Sequence, residues 1–437
     1  ILFFYYFLMN FLDFYKNWIY NYKENWVIIH KFYIFCAIFS HFINFNKGSS
    51  EVQKKFTAVL DFGSSKLFLC LGRKGVNGTF AIRCLTETKY AGFNEGEFLE
   101  PEKLYDAVKQ AIQSGEIGNK QKITTLYVGV PAEFCMVECK EITKHFANKI
   151  KLTKENIDEI SKLAINKDLL KDKTLISCSP NWVKLDDERK VLDYECEKTT
   201  KITTEICSIY AENYFIKAVN SILAKIGIES VEYICASEAQ AKYLLSEEER
   251  TRENIIIDVG YISSSVMCAC GRGITNLKTF SLGGAHVSAD LAECLDITFE
   301  QGEALKREIV LSINSKKSED CYEVNVKNKV LPVPINFANE VVKARLDMMC
   351  QLIKKIINNF GVENSQFVTV YLTGGGLSYI KGSRDYLAKS IGRNVQLLVP
   401  SMPELAKPHL SSVLSVLNSA LKCQEKSKLT LHNIFKR

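Results

Sequence analysis

Short apolar runs and amphipathic stretches alternate along the chain from residue 56 onward. Apolar runs bounded by glycine and serine predict buried strands at residues 56–61, 255–258 and 368–372. Apolar residues at helical spacing predict helices at residues 156–164 and 215–226. Further predicted elements are a returning strand at 67–72, a helix that begins at Pro101, strands at 125–129 and 203–210, and a helix at 408–421. This alternation is typical of an α/β protein.

The first 50 residues have a different composition from the rest. They contain 18 of the 47 aromatic residues, which leaves 29 for the other 387 positions. No basic region and no small-residue cleavage site marks a signal peptide, and Lys31 and two histidines interrupt the only stretch, 27–45, that is nearly long enough to span a bilayer. We expect residues 1–54 to lie outside the fold. Three interpretations stay open: translated sequence upstream of the true start, which we favour, a hydrophobic anchor, or a folded element.

Composition narrows the class of protein. With 437 residues, 47% hydrophobic and 24% charged, the chain is predicted to form two or more globular domains. The net charge of +6 is small and dispersed, so no nucleic-acid partner is expected. The 15 cysteines are scattered and predict reduced thiols in a cytoplasmic protein. Cys268 and Cys270 have strand spacing without a second ligand pair, so we expect no metal site there.

Three predicted strands end in residues suited to binding a polyphosphate. Asp61 and Asp258 each close an apolar strand and are followed by a glycine and then serines, whereas Gly374 to Gly376 follow the third strand. Ligands of open α/β sheets lie beyond the carboxyl ends of strands, where exposed backbone N–H groups can bind phosphate. The two similar strand ends therefore predict two related halves that face each other with a polyphosphate between them.

Each residue type in these motifs has a chemical role in that interpretation. The two aspartates would hold Mg²⁺ mainly through its water ligands, Ser64 and Ser65 would donate to phosphate, and Lys66 would offset its charge. The three glycines would allow the backbone to approach an adenine and ribose closely, where a Cβ would clash. Each motif alone also fits an ordinary turn, but their order and spacing favour a nucleotide site.

These segments resemble the actin-like ATPase superfamily and, within it, the FtsA family of bacterial cell-division proteins. The resemblance lies in residues 61–66 (DFGSSK), 258–265 (DVGYISSS), 302–306 (GEALK) and 372–376 (LTGGG), and extends over about residues 55–423. It implies an α/β, actin-like (ribonuclease H-like), two-lobed ATPase fold with an FtsA-type inserted subdomain. The implied domains are the first lobe at 55–97 and 181–253, the inserted subdomain at 98–180, the second lobe at 254–298 and 367–423, a second-lobe insertion at 299–366, and a linker and tail at 424–437.

The resemblance also implies a set of binding residues and cofactors, namely ATP and Mg²⁺. The expected nucleotide contacts are Asp61, Gly63, Ser64, Ser65, Lys66, Asp258, Gly260, Ser263, Ser264, Glu303, Lys306, Gly374, Gly375 and Gly376, with Asp61 and Asp258 also holding Mg²⁺. Glu303 and Lys306 would approach the nucleoside, and their i,i+3 spacing puts them on one helix face. The alternative is an ordinary surface ion pair.

The resemblance implies two phosphate loops, residues 61–66 and 258–265, and the second departs from the family pattern. Tyr261 and Ile262 stand where most members have glycines, which removes freedom at positive φ and adds bulk near the phosphate. Glu238 is the candidate for orienting the attacking water, although it is also the first-turn residue that a helix dipole favours. We therefore expect nucleotide binding with slow or absent hydrolysis.

The C-terminal tail is the candidate membrane contact. Residues 424–427 are polar and predict a flexible linker, and 429–437 fit a short amphipathic helix, with a frayed terminus as the alternative. The candidate membrane residues are Leu431, Ile434, Phe435, Lys436 and Arg437.

By resemblance, the chain is expected to polymerise and to tether the tubulin-like FtsZ filament to the inner face of the cell membrane at the division site. The partner surface would lie on about residues 299–366. Two alternatives are a pilus or secretion scaffold and a small-molecule kinase, although a kinase needs a further cleft aspartate as base, which the sequence does not offer in a convincing turn.

Overall fold

The computed structural model describes residues 56–75, 79–313, 320–326, 329–362 and 368–434, excepting the side chains of residues 119, 326, 329 and 425–434. The predicted N-terminal segment, 1–54, lies outside the described residues. The strands are β1 Thr57–Phe62, β2 Lys66–Lys74, β3 Phe80–Lys89, β4 Phe93–Asn94, β5 Glu97–Phe98, β6 Thr125–Val130, β7 Cys135–Lys151, β8 Lys173–Lys184, β9 Lys190–Val191, β10 Lys198–Glu212, β11 Ser230–Cys235, β12 Asn254–Val259, β13 Ser264–Cys270, β14 Gly273–Phe280, β15 Cys321–Val326, β16 Lys329–Pro334, β17 Thr369–Thr373 and β18 Val395–Leu397. The helices are α1 Pro101–Asn119, α2 Lys154–Ala164, α3 Asn213–Ile226, α4 Ala236–Leu244, α5 Gly284–Leu295, α6 Phe299–Glu308, α7 Ile335–Asn359, α8 Ser383–Ile391 and α9 Ser411–Ile434.

Two five-stranded sheets share one topology, as the repeated strand ends predicted. The first has the order β11-β6-β1-β2-β3 and the second β18-β17-β12-β13-β14. In each, the central strand forms a hairpin with the strand on one side and pairs in parallel with the strand on the other. Asp61 is paired with Gly129 of β6, and Asp258 with Thr373 of β17. The two aspartates therefore occupy equivalent positions at the carboxyl ends of central strands.

The inserted subdomain begins and ends later than predicted. Its antiparallel sheet has the order β7-β10-β8-β9 and carries α2, so it spans residues 135–212 and not 98–180. Strand β6 belongs to the first lobe because it is an apolar, almost fully buried strand in parallel register between β1 and β11. Helix α1 packs on the same sheet through Leu104, Val108 and Ile112. Residues 181–212, assigned to the first lobe from the sequence, lie in the insert.

The inserted sheet also contacts the second lobe. The backbone N–H of Arg272, in the β13–β14 turn, donates to the carbonyl of Asn181 on β8 at 3.0 Å, and the Arg272 side chain pairs with Asp193. Sγ of Cys139 on β7 lies 3.4 Å from the carbonyl oxygen of Thr275 on β14. The insert therefore touches both lobes, although it is covalently part of the first.

One pair of cysteines departs from the predicted reduced state. Cys139 and Cys207 are direct cross-strand neighbours on β7 and β10, with Cα atoms 4.2 Å apart, and they are joined in a disulfide. The pairing depends on strand register, and a separation of 68 residues in sequence does not reveal it.

Helix α9 packs on the first lobe, whereas the sequence assigned it to the second. Val413, Leu414 and Leu417 are fully buried, as their helical spacing predicted, and they contact the first sheet at Val59 and Tyr127. The helix also continues through residues 424–427, where a flexible linker was predicted. This stretch has no glycine or proline to stop a helix, so polar composition alone does not break it.

Candidate functional site

A cleft of about 1050 Å³ lies where the carboxyl ends of β1, β12 and β17 meet. All fourteen residues predicted as nucleotide contacts line it, including both aspartates, Glu303, Lys306 and the three glycines after β17. Its size suits a small-molecule ligand, since such sites usually enclose about 300–1,000 Å³. The structure thus brings these residues together, and their binding of a nucleotide stays a prediction.

The two loops after the central strands have matching local geometry. The N–H of Gly63 donates to the carbonyl of Lys66 at 2.9 Å, and the N–H of Gly260 donates to the carbonyl of Ser263 at 3.1 Å. A Cβ on Gly260 would lie 2.6 Å from that same Ser263 carbonyl oxygen, so the turn requires glycine. Both loops are tight hairpin turns that leave little room beside their first glycine.

The two loops are in direct contact through Ser64. Its Oγ accepts from the backbone N–H groups of Tyr261 at 3.2 Å and of Ile262 at 3.0 Å. Neither Tyr261 nor Ile262 is among the described residues with positive φ, so the loop forms without the conformational freedom that we expected it to need. The Tyr261 ring packs edge-on against Phe299, at the α6 wall of the cleft.

Asp61 is a buried carboxylate without full hydrogen bonding. It is 2% exposed, and its Oδ1 has no hydrogen-bond partner among the described residues. Burial raises the pKa of Asp61 to about 7 against a hydrogen bond from Ser412, and the nearby Asp258 charge raises it further. A carboxylate in this position is destabilised unless it is protonated or meets a cation.

Asp258 is the second carboxylate at the centre of the cleft. Burial raises its pKa, while the amide Nε2 of Gln240, which donates to Asp258 Oδ2 at 2.7 Å, opposes that rise. Two neighbouring carboxylates, one with an unsatisfied buried oxygen, form a set of hard oxygen ligands that suits a hydrated Mg²⁺. The residues present therefore fit the predicted metal.

The glycines after β17 are required by a contact within the protein. Gly374 has φ +84°, and a Cβ there would lie 2.2 Å from Asp258 Oδ1 and 2.4 Å from the Val259 carbonyl oxygen. A Cβ on Gly376 would lie 2.2 Å from the Gly260 carbonyl oxygen. We expected these glycines to make room for adenosine, but the groups that exclude a Cβ belong to the second phosphate loop.

Glu303 and Lys306 form an ion pair in the cleft wall and not on an exposed surface. Lys306 is 5% exposed, and its Nζ donates to Glu303 Oε2 at 2.6 Å and to the Gly284 carbonyl at 2.9 Å. Burial lowers the pKa of Lys306, whereas for Glu303 the hydrogen bonds from Lys306 and Ser288 outweigh burial and lower the pKa. The two side chains therefore form a hydrogen-bonded pair in the wall of the cleft.

Lys66 has a carboxylate partner at the rim of the cleft. Its Nζ lies 2.9 and 3.0 Å from the two carboxylate oxygens of Glu87. Because both side chains are substantially exposed, the pair is weak and can open toward an anionic ligand.

Glu238, the residue predicted to orient water, is not among the residues that line the cleft. Its Oε1 accepts from Ser177 Oγ at 3.2 Å and from Lys242 Nζ at 2.7 Å. The residues of α4 that line the cleft are Ala236, Ser237 and Gln240, and the last two are its polar residues there. Their i,i+3 spacing puts them on one face and Glu238 on another, a relation that could have identified Gln240 once Ser237 was placed.

The tail residues are only partly described. Leu431 and Ile434 lie in the helical backbone of α9, and their side chains are not described. Phe435, Lys436 and Arg437 lie outside the described residues. In the described part of the chain, no helix has the length and apolar character needed to cross a membrane.

Comparisons with known proteins relate the chain to one family and one fold. The family described as "Cell division protein FtsA" matches residues 255–415. FtsA of Enterococcus hirae is 20% identical over 370 residues, which cover 84% of this chain and 83% of the relative. FtsA of Streptococcus pneumoniae is 20% identical over 367 residues, which cover 83% of this chain and 80% of the relative.

Solved structures with the same fold include a PilM–PilN type IV pilus biogenesis complex and MreB5 of Spiroplasma citri bound to ADP. The first has a TM-score of 0.58 at 16% identity and covers 84% of this chain and 98% of that chain. The second has a TM-score of 0.50 at 11% identity and covers 87% of this chain and 99% of that chain. The chain is therefore similar in sequence to the FtsA bacterial cell-division proteins over most of its length, and it has an actin-like fold.

Proposed function

We propose that this chain is a cell-division protein that binds ATP with Mg²⁺ in the cleft and hydrolyses it slowly or not at all. The observation that supports this most is the convergence of Asp61, Asp258 and Gly374 to Gly376 from two sheets of equal topology onto one cleft. Asp61 and Asp258 would hold the hydrated metal, which would screen the phosphate charge when bound. The nucleotide then joins the two lobes.

Slow hydrolysis follows from the groups that α4 presents to the cleft. Glu238 is bound to Ser177 and Lys242, away from the cleft, and the Gln240 amide is already bonded to Asp258. Among the described cleft residues, Asp61 and Asp258 are the only aspartates, so a small-molecule kinase would lack a separate aspartate as base for its acceptor. A steady turnover on the order of 10 per second, typical of metabolic enzymes, would contradict this proposal.

The wider role proposed for the chain is that of the FtsA relatives, self-association and tethering of an FtsZ-like filament to the inner membrane face. The partner surface is proposed on the second-lobe insertion of α6, the β15–β16 hairpin and α7. Exposed apolar side chains there include Val330, 54% exposed, and Phe337, 44% exposed. The C-terminal tail would supply the membrane contact, and polymerisation would make weak single anchors sufficient.

The nucleotide proposal is tested by thermal unfolding of the full chain with and without Mg·ATP. At about 100 times the dissociation constant, a ligand stabilises the folded state by about 2.7 kcal/mol, so the melting temperature should rise. Asp258→Ala should lose the Mg²⁺-dependent part of that rise, and Glu238→Gln, outside the cleft, should retain it. An unchanged melting temperature for the wild type at saturating Mg·ATP would contradict nucleotide binding.

The partner proposal is tested by pull-down of purified FtsZ. Val330→Asp should weaken capture, whereas Leu163→Asp, at a more exposed apolar site on the inserted subdomain, should not. Capture that is absent in the wild type would favour the alternative of a pilus or secretion scaffold.

A further inference from the structure

Gln240 is a buried amide in the cleft that the sequence pattern did not single out. It lies on α4, is 2% exposed, and lines the cleft beside Ser237. Its Nε2 donates to Asp258 Oδ2 at 2.7 Å. A buried amide is costly to leave without a partner, so this bond constrains both side chains.

The position of Gln240 is determined by packing beneath the cleft. On α4, Ala236 and Ala239 belong to the apolar cluster that joins α9 to the first sheet, so the helix cannot rotate freely. Asp258 lies on β12 of the second sheet. The Gln240–Asp258 bond is thus a polar link between the lobes at the base of the cleft.

Because of this bond, the two carboxylate oxygens of Asp258 have different surroundings. Oδ2 accepts from Gln240, and Oδ1 lies beside Gly374, where a Cβ would come within 2.2 Å of it. On the other lobe, Ser412 of α9 lines the cleft, and its side chain lowers the pKa of Asp61 against the effect of burial. Each cleft aspartate therefore has one polar side chain near it from a helix of the layer beneath the cleft.

We propose that Gln240 is a positioning residue that holds the Asp258 carboxylate so that one oxygen remains for the water ligands of the nucleotide's Mg²⁺. This inference rests on the proposed function, because it assumes that the cleft takes Mg·ATP. It assigns to α4 a metal-positioning role in place of the water-orienting role predicted for Glu238.

The test compares ATP affinity of the full chain by titration calorimetry with saturating Mg²⁺ and with EDTA. Gln240→Ala should lower the affinity for Mg·ATP about 10-fold, since a hydrogen bond to a charged group is lost, and should leave the affinity in EDTA unchanged. Glu238→Gln, two residues away on the other face of α4, should match the wild type in both conditions. Retained Mg²⁺ dependence in Gln240→Ala, or an equal loss in both conditions, overturns the proposal.

A double-mutant cycle in the unliganded protein separates this inference from the nucleotide proposal. Gln240→Ala, Asp258→Ala and the double variant are unfolded in urea, and a coupling of about 10-fold in the unfolding equilibrium is expected for residues in contact. Additive effects overturn the positioning role. If the wild type binds no ATP but the coupling is present, the proposed nucleotide fails while the link between Gln240 and Asp258 stands.

Discussion

Gly374 shows how little room one backbone position in the cleft leaves. We predict that Gly374→Ala lowers the free energy of unfolding by about 2 kcal/mol or more, because it adds a strained positive φ and a contact at 2.2 Å with Asp258 Oδ1. Gly392→Ala is the matched control, since φ is +72° and nothing lies within 4 Å of its Cβ. Urea unfolding measures the free energy of unfolding of both variants. Equal losses would show that backbone strain alone, without the contact at Asp258, accounts for the destabilisation.

Asp61 predicts a pH dependence of stability in the metal-free protein. Its folded pKa of about 7 is raised above the ordinary value of 3.8, so the folded state binds the proton more tightly. The unfolded state releases this proton from about pH 4 and the folded state only near pH 7, so stability from this group is present at low pH and is lost as the pH rises from about 4 to about 7, by up to about 4 kcal/mol in total.

Asp61→Asn should remove this contribution, so its free energy of unfolding relative to the wild type should be higher at pH 8 than at pH 5. Urea unfolding in EDTA at the two pH values measures the difference. If the difference in free energy of unfolding between wild type and variant were the same at both pH values, the raised pKa of Asp61 would be contradicted.

The residues of the cleft show why local patterns identify some groups and not others. Asp61, Asp258 and the glycines follow apolar strands, so their place at strand ends is readable from the chain. Gln240 and Glu238 lie two positions apart on one helix, and only the rotation of α4 decides which of them faces the cleft. That rotation depends on packing against α9, which is distant in sequence.

At the scale of elements, the β13–β14 turn docks closely on the inserted sheet. Gly271 has φ +60°, and a Cβ there would lie 2.2 Å from the Asn181 carbonyl oxygen. We predict that Gly271→Ala loosens this contact and speeds hydrogen exchange at the N–H of Arg272, which donates to the same carbonyl.

Gly227→Ala provides the control for that prediction. It caps α3 at φ +95° with nothing within 4 Å of its Cβ, so it should cost about 1 kcal/mol without changing exchange at Arg272. Unchanged exchange in Gly271→Ala would mean that the insert does not depend on this turn.

At the scale of the molecule, the tail and the buried part of α9 are expected to have different functions. The described side chains that anchor α9 in the core end at Leu421, so removing the residues after Ser427 should leave the melting temperature and Mg·ATP binding intact. The same truncation should reduce sedimentation with anionic lipid vesicles, because it removes the proposed amphipathic segment. Undiminished sedimentation would place membrane binding elsewhere.

The sequence by itself determined the α/β class, the two similar halves and the residues at their strand ends, because burial and turn chemistry are local properties of a chain. Tertiary structure decided the limits of the insert, the lobe on which α9 packs and the pairing of Cys139 with Cys207. It also decided that Gln240, and not Glu238, lines the cleft. These depend on which distant segments pack together. Register and helix rotation follow from that packing, and no short stretch of sequence contains it.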